Sequence, residues 1–259
     1  MKKYIDNFNK YRYLLYELVK KGIVLKYRRS YLGILWTLLE PLLTMMVLTV
    51  VFSGWYGKSD QSFPVYVLTG RLIYSFFSTA TKSAMKSVQN NAKMMKKVYV
   101  PKYIYPLSGV IYNYIIFLIS LIVLIGVSVV LKVKPTIYLL QAIIPLTLIF
   151  IMSLGVGLIL ATLNVFFRDL EYLWSVALML IMYSCAIFYD PSRLVKTGNA
   201  WIFKINPVYH IIANFREAVL FGEPLSLEYL IPSIIFSFGS LFVGIYIFYK
   251  KQDEFILHV

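Results

Sequence analysis

Few side chains in this 259-residue chain can do chemistry, and the spacing of those few excludes most enzymatic sites. Glu40 and Arg71 are the charges that fall well inside apolar runs. A carboxylate or guanidinium at such depth faces a helix-bundle interior or a watery path. For Glu40 a helix–helix hydrogen bond and a place in a path are equally good readings, and Arg71, near one end of its run, can snorkel. The lone cysteine, Cys185, sits in an apolar run, so no internal disulfide can form. His210 and His258 stand far apart with no Cys or His at metal-ligand spacing, so no metal site is expected. No G-x-x-x-x-G-K-[ST] loop, G-x-S-x-G elbow, H-E-x-x-H run or close carboxylate pair occurs. The chain is therefore not expected to bind ATP or to be an enzyme. Its densest cationic cluster is Lys26, Arg28 and Arg29, which can meet anionic lipid headgroups and fix topology.

The elements that must position these groups are membrane spans. The sequence is 59% hydrophobic, which no soluble domain needs, and its net charge of +14 lies beside the apolar runs rather than along a separate basic stripe. That placement argues for lipid contact and against nucleic acid. A hydrocarbon core about 30 Å thick takes about 20 helical residues to cross. On that measure the fold class is all-α, a polytopic membrane protein with six transmembrane helices, at about 31–52, 64–84, 105–131, 137–167, 172–189 and 229–249. Residues 1–30 form a cytosolic N-terminus and 250–259 a cytosolic tail. The basic foot before the first span, the lysines of the 85–102 loop and Lys250-Lys251 all fall inside on this arrangement, as the positive-inside rule requires. No cleavable signal peptide is visible, because the first apolar run starts about 30 residues in and is too long for one.

Three local features qualify these spans. Tyr11, Leu15, Leu18, Gly22 and Leu25 recur at steps of four and three, which predicts an amphipathic helix over 11–26 lying on the membrane surface. Pro41 removes a hydrogen bond within the first span and predicts a kink. Pro145 and the pair Gly155/Gly157 predict a bend or a close helix contact in the fourth. Between spans five and six, the apolar stretches 200–205 and 208–221 are too short to cross and are separated by Asn206-Pro207, so they read as re-entrant or interfacial helices.

With two intramembrane charges, no inverted repeat and no filter motif, the spans look like a passive conduit driven by something else. Aromatic residues are abundant, with 22 Tyr, 18 Phe and 4 Trp, most of them placed for an interfacial belt. Trp36, Tyr74, Trp174, Tyr183, Phe188 and Tyr189 lie on or near spans one, two and five. Their ring faces are candidates to line a path, since such faces stack on sugar rings without tight binding.

An ordered series of motifs then covers nearly the whole chain: Lys26-Tyr27-Arg28-Arg29 with Leu32-Gly33 and Trp36; Pro41-Leu42; Val51-Phe52; Gly70 with Tyr74-Ser75-Phe76-Phe77; Asn90, Lys96-Lys97, Pro101 and Pro106-Leu107; Asn164-Val165-Phe166-Phe167-Arg168-Asp169; and Asn206-Pro207. In these the chain resembles type-2 ABC transporter permeases that export lipid-linked polysaccharides of the O-antigen, capsule and teichoic acid kinds. Glu40 and Arg71 are not part of that pattern.

The resemblance implies a permease that pairs with itself as a homodimer and with two copies of a separate ATP-binding subunit, which would hold the ATP and Mg; this chain itself would bind no cofactor. It implies a bacterial or archaeal cytoplasmic membrane location with both termini cytosolic. It places a coupling element at about 89–102, including Asn90, Lys93, Lys96, Lys97 and Pro101, with Arg168-Asp169 on the same side, and gate helices at about 194–221. It makes Lys26, Arg28 and Arg29 candidates for meeting the pyrophosphate of a lipid carrier, a group that suits arginine geometry. The lipid-headgroup and topology reading of the same residues stays open beside it. Two rivals remain at this stage: an ABC exporter of a small hydrophobic drug or lipid, and a membrane enzyme of lipid-linked sugar metabolism. The second would need a catalytic cluster, and the sequence has none.

Overall fold

Long apolar runs without interior charge close their backbone hydrogen bonds within helices, and helices are what the chain forms. A computed structural model describes residues 2–28, 30–56, 62–97, 100–191, 198 and 201–258. Its α-helices are α1 (Lys2–Tyr27), α2 (Trp36–Tyr56), α3 (Phe63–Asn90), α4 (Ala92–Met95), α5 (Ile104–Val130), α6 (Ile143–Phe166), α7 (Leu170–Tyr183), α8 (Trp201–Ile205), α9 (Pro207–Arg216), α10 (Leu227–Lys251) and α11 (Phe255–His258). Short 3-10 turns precede α2 and α6, and a π-turn, Glu217–Phe221, extends α9. Gly222, at φ +67, ends that turn in the left-handed conformation that glycine adopts without steric cost.

The all-helical class holds. Among the described residues four stretches are long and apolar enough to cross a membrane: Gly33–Phe52, Ile104–Val130, Ile137–Phe166 and Leu227–Glu254. The remaining two of the six predicted spans take a different form. The second is a single helix running on to Asn90, beyond the predicted end at 84, and polar side chains along one face deny it a sustained apolar window. The fifth, predicted to 189, is helical only from Leu170 to Tyr183; at 14 residues it is about 21 Å long, shorter than a hydrocarbon core. The chain turns there instead, through Ala186 at φ 47. Helix α2 continues through Pro41.

The bundle is built around α3, which packs against α2, α5, α6 and α7. Its apolar positions, among them Val65, Leu68, Ile73, Phe76, Phe77 and Ala84, fill the main core. The amphipathic helix expected over 11–26 is the C-terminal part of α1. It lies along α5, with Leu14, Leu15 and Leu18 against the core and Tyr13 and Tyr16 exposed. Helix α6 packs along α10 at backbone contact, as its glycines led us to expect. A Cβ on Gly244 would stand 2.5 Å from the carbonyl oxygen of Gly155.

A second core forms at the end of the bundle that carries both termini. Phe255 is fully buried there, among Met95, Val100, Ile104, Val165 and Phe248. Its ring stands edge-on to Phe248 and Phe166, and Lys102 lies over it while donating to the carbonyl of Gln252. The short tail is thus a plug joining α10 to the segment after α4. Truncation of a fully buried Phe to Ala costs about 3–5 kcal/mol. Phe255→Ala should therefore lower the thermal unfolding midpoint of the detergent-purified protein markedly, whereas the exposed neighbour change Ile256→Ala should leave it nearly unchanged.

Candidate functional site

Three constructions carry the residues singled out above. The first is a polar crevice of about 80 Å³ where α2, α3 and α5 meet above the end of α1. By the same measure a water needs about 10–15 Å³, so the crevice holds several. Glu40 and Thr44 come from α2, Arg71, Ser75 and Thr79 from α3, Asn113 and Ser120 from α5, and Lys26 and Tyr27 from α1. Steps of four put Arg71, Ser75 and Thr79 on one face of α3, and Glu40 and Thr44 on one face of α2. Three of its hydroxyl protons are already spent: Thr44 Oγ1 donates to Glu40 O (2.7 Å), Thr79 Oγ1 to Ser75 O (2.8 Å) and Ser120 Oγ to Thr37 O (3.0 Å). The strong donors left are Lys26 and Arg71. Arg71 meets a thioether, Met182 Sδ, at 3.9 Å, a weak acceptor. Glu40, exposed, faces Lys26 and Tyr27 rather than sealing a helix–helix joint. Lys26 is exposed as a whole, but its amine leans into the crevice. Burial there lowers its pKa, and the Glu40 charge opposes the shift. Burial, with Glu40 adding to it, pushes the Tyr27 phenol up to about 12. Arg28 is exposed beside this mouth, and Arg29 lies outside the described residues.

The second construction joins the lysine-rich segment to the corner after α6. Gln89 Nε2 donates to Asn164 O (2.9 Å), Asn164 Nδ2 to Met85 O (3.3 Å), and Lys86 pairs with Glu171. These bonds tie the last turns of α3, which Asn90 ends, to the end of α6 and the start of α7, on either side of Arg168 and Asp169. Asn90, Lys93, Lys96, Lys97, Arg168 and Asp169 are all exposed, while Pro101 is half-buried. Residues 98–99 of the predicted coupling segment lie outside the described set.

The third lies at the opposite end, where α9 meets α3 and the turn after α7. Asn206 caps α9, its Oδ1 accepting from Val208 N (3.0 Å), while its Nδ2 donates to Ser184 Oγ (2.8 Å) and Ile181 O (3.2 Å). Pro207 stands at the first helical position, where its missing N–H costs nothing. Asn206-Pro207 is thus a joint pinning the start of α9 to the end of α7. At the other end of α9, Arg216 is 3% exposed. It stacks 3.4 Å from the Tyr66 ring centre and donates to Tyr66 O (3.0 Å) and Ala186 O (3.1 Å). The Tyr66 hydroxyl is shared between Ala186 O (2.9 Å) and Tyr189 O (3.0 Å). Sequence reasoning missed Arg216; a lone arginine ending a ten-residue helix with no other Lys, Arg, Asp or Glu was the available signal. The same contact explains Gly70, since a Cβ there would stand 2.6 Å from Arg216 Nη2. Of the predicted gate segment, residues 194–197 and 199–200 lie outside the described residues.

The candidate aromatic residues divide between open space and helix joints. Trp36 and Tyr183 are exposed. Tyr74 is buried and donates to Leu178 O (2.8 Å). Trp174 is half-buried, edge-on to Phe77, with Nε1 donating to Thr81 Oγ1 (3.1 Å). Phe188 is buried and stacks on Phe52 at 5.4 Å, and Tyr189 is half-buried and donates to Tyr183 O. Among the described residues no three His, Cys, Asp or Glu side chains converge as a metal ion would need.

A helical bundle with a crevice and a charged corner at one end fits many membrane proteins, and comparison with known proteins decides which kind this is. The profile of the ABC-2 type transporter family matches residues 13–220. The chain belongs to this family. The ABC-2 permease is 31% identical over 246 residues to an O-antigen export system permease protein of Klebsiella pneumoniae, covering 93% of each chain. It is 28% identical over 249 residues to one of Myxococcus xanthus, covering 95% of each. It is 26% identical over 242 residues to the polysialic acid transport protein of Escherichia coli, covering 87% of this chain and 88% of that one. The ABC-2 permease is a multi-pass membrane protein and a transport subunit rather than an enzyme, and ATP binding falls to a separate subunit with which it associates.

Proposed function

We propose that this chain is the permease of an ATP-driven exporter of an O-antigen- or capsule-type polysaccharide, and that its cargo travels on a lipid carrier. The observation that carries this reading is likeness over nearly the whole length to permeases named for O-antigen export. Two copies would pair with two ATP-binding subunits, with both termini in the cytosol. Six crossings follow if α3 and the α7 segment complete the set: α3 has the length, and the turn at 184–190 would finish the short fifth crossing. The path then runs between α2 and α7 of each protomer, with the exposed Trp36 and Tyr183 as aromatic walls. Lys26, Arg28 and Arg29 would meet the carrier's pyrophosphate at the mouth, and the Glu40 carboxylate facing Lys26 would hold that amine in place until an anion arrives. The 89–102 segment with Arg168 and Asp169 would dock on the ATP-binding subunit. The bonds from Gln89 to Asn164 and from Lys86 to Glu171 would carry its movement into α3, α6 and α7. Helices α8 and α9 would form the outer gate.

Co-purification of the chain with an ATP-binding subunit, followed by ATPase assay in lipid with and without lipid-linked glycan, tests this. We expect a stable complex whose glycan-stimulated ATPase falls several-fold in the Lys96→Gln/Lys97→Gln double variant. A chain that fails to associate with any ATP-binding subunit, or that turns over lipid-linked sugar alone without ATP, would remove the exporter reading.

A further inference from the structure

From position 71 to 86, every position on α3 that is not buried holds Arg, Ser, Thr or Lys; the buried positions carry all of the helix's apolar residues there. Arg71, Ser75, Thr79, Lys82 and Lys86 succeed one another at steps of four, four, three and four, which is one face of one helix. A cation turned toward hydrocarbon costs about 2.5–3.5 kcal/mol at mid-depth, and here one helix offers three. The face therefore meets water or polar material.

The neighbouring helices supply few opposite charges to this face. Glu40 of α2 lines the crevice with Arg71, and Glu171 of α7 pairs with Lys86. Lys82 has no hydrogen-bond or ion-pair partner among the described residues, and Arg71 has its single thioether contact. Two strong donor groups thus stand unspent on a partly covered polar face, and between them the Thr79 hydroxyl has already given its proton to the carbonyls of Ser75 and Phe76.

We infer that the Arg71–Lys86 face of α3 is the floor of the path between α2 and α7, and that it selects an acidic glycan whose repeat carries a carboxylate or a phosphate. The inference rests on the exporter reading and narrows its cargo. Anions would pass from Lys82 to Arg71, each held by charge-assisted hydrogen bonds strong enough to enter and, being one or two per site, weak enough to leave.

The test uses the purified complex with its ATP-binding subunit and three fluorescently labelled probes of similar length: an oligogalacturonate, a phosphorylated mannose oligosaccharide and neutral maltoheptaose. We expect one or both acidic probes to bind at least about tenfold more tightly than the neutral one, the scale of one charge-assisted hydrogen bond. The probe that gains identifies the anion. Arg71→Gln/Lys82→Gln should remove the preference, and Arg71→Lys/Lys82→Arg should keep it. Equal binding of acidic and neutral probes by the unmodified complex would overturn the inference whether or not the variants fold. So would a preference that survives the double Gln variant. Either result leaves the exporter reading intact so long as the complex forms and couples ATP hydrolysis to glycan.

Discussion

Replacing Arg216 by methionine should destabilise the purified permease by about 2–4 kcal/mol, read as a fall in its thermal unfolding midpoint. The guanidinium is buried against Tyr66 and spends its donors on Tyr66 O, Ala186 O and, at 3.4 Å, Thr69 Oγ1. Among the described residues no carboxylate lies within ion-pair distance of it, so neutral oxygens and one ring face hold the charge. Methionine fills much of the volume but removes the charge-assisted bonds and the stacking on Tyr66, leaving Ala186 O with only the Tyr66 hydroxyl and Tyr66 O with the Thr69 hydroxyl as side-chain donors. Lysine keeps the charge but lacks the planar fork that reaches separated acceptors from three nitrogens while stacking on the ring, so Arg216→Lys should fall between the two. Gly70→Ala tests the same joint from the other side by pushing a methyl into Nη2. An unchanged midpoint for Arg216→Met would mean that α9 is held by its apolar face alone.

The second large effect is expected at the crossing of α6 and α10. Gly155 faces the backbone of Ser240 and Leu241, and Gly244 faces the carbonyl of Gly155. A hydrogen bond from Ser237 Oγ to Leu148 O (3.0 Å) ties the same two helices further along. Extra methylenes in a packed core usually cost about 1–3 kcal/mol because side chains can shift. Here the obstacle is backbone, so Gly155→Leu must separate the helices and lose their contacts along the length. We expect little monodisperse protein after extraction from membranes. Gly239→Ala, on the same helix but facing open space, is the matched control and should extract like the unmodified chain. Normal extraction of Gly155→Leu would show that the two helices need not touch.

Much of this was legible in the residues, for local reasons. Apolar runs of about 20 residues form helices wherever they sit, and the three-and-four stripe of 11–26 anticipated that Tyr11, Leu15 and Leu18 pack inward, though Val19, off the stripe, is buried and Leu25, on it, is exposed. Asn206-Pro207 marks a helix start by its own cap chemistry, and Gly155/Gly157 announced a close approach without naming Leu241 and Gly244 as what Gly155 meets or Ala84 as what Gly157 meets. The ordered motifs from Lys26 to Asn206 pointed to the family that the comparison with known proteins establishes.

What the residues could not give are the meetings between segments distant in the chain. The apolar run after Leu170 continues to Tyr189, yet the helix stops at Tyr183. The carbonyl of Ala186 is claimed by Tyr66 and Arg216, more than 100 and about 30 positions away along the chain, which fixes a turn that local propensity would not choose. Phe255, in a tail that reads as a basic end, is a plug because Lys102 and Phe166 surround it. Glu40 and Arg71, on separate spans, share one crevice only because α2 and α3 pack in the register they do. The sequence by itself thus determined helices, an amphipathic N-terminal element and a family, since each follows from neighbours along the chain. The tertiary structure alone decided which polar groups stand unspent on the one open face of α3, because burial is settled by what packs against a residue and not by the residue itself.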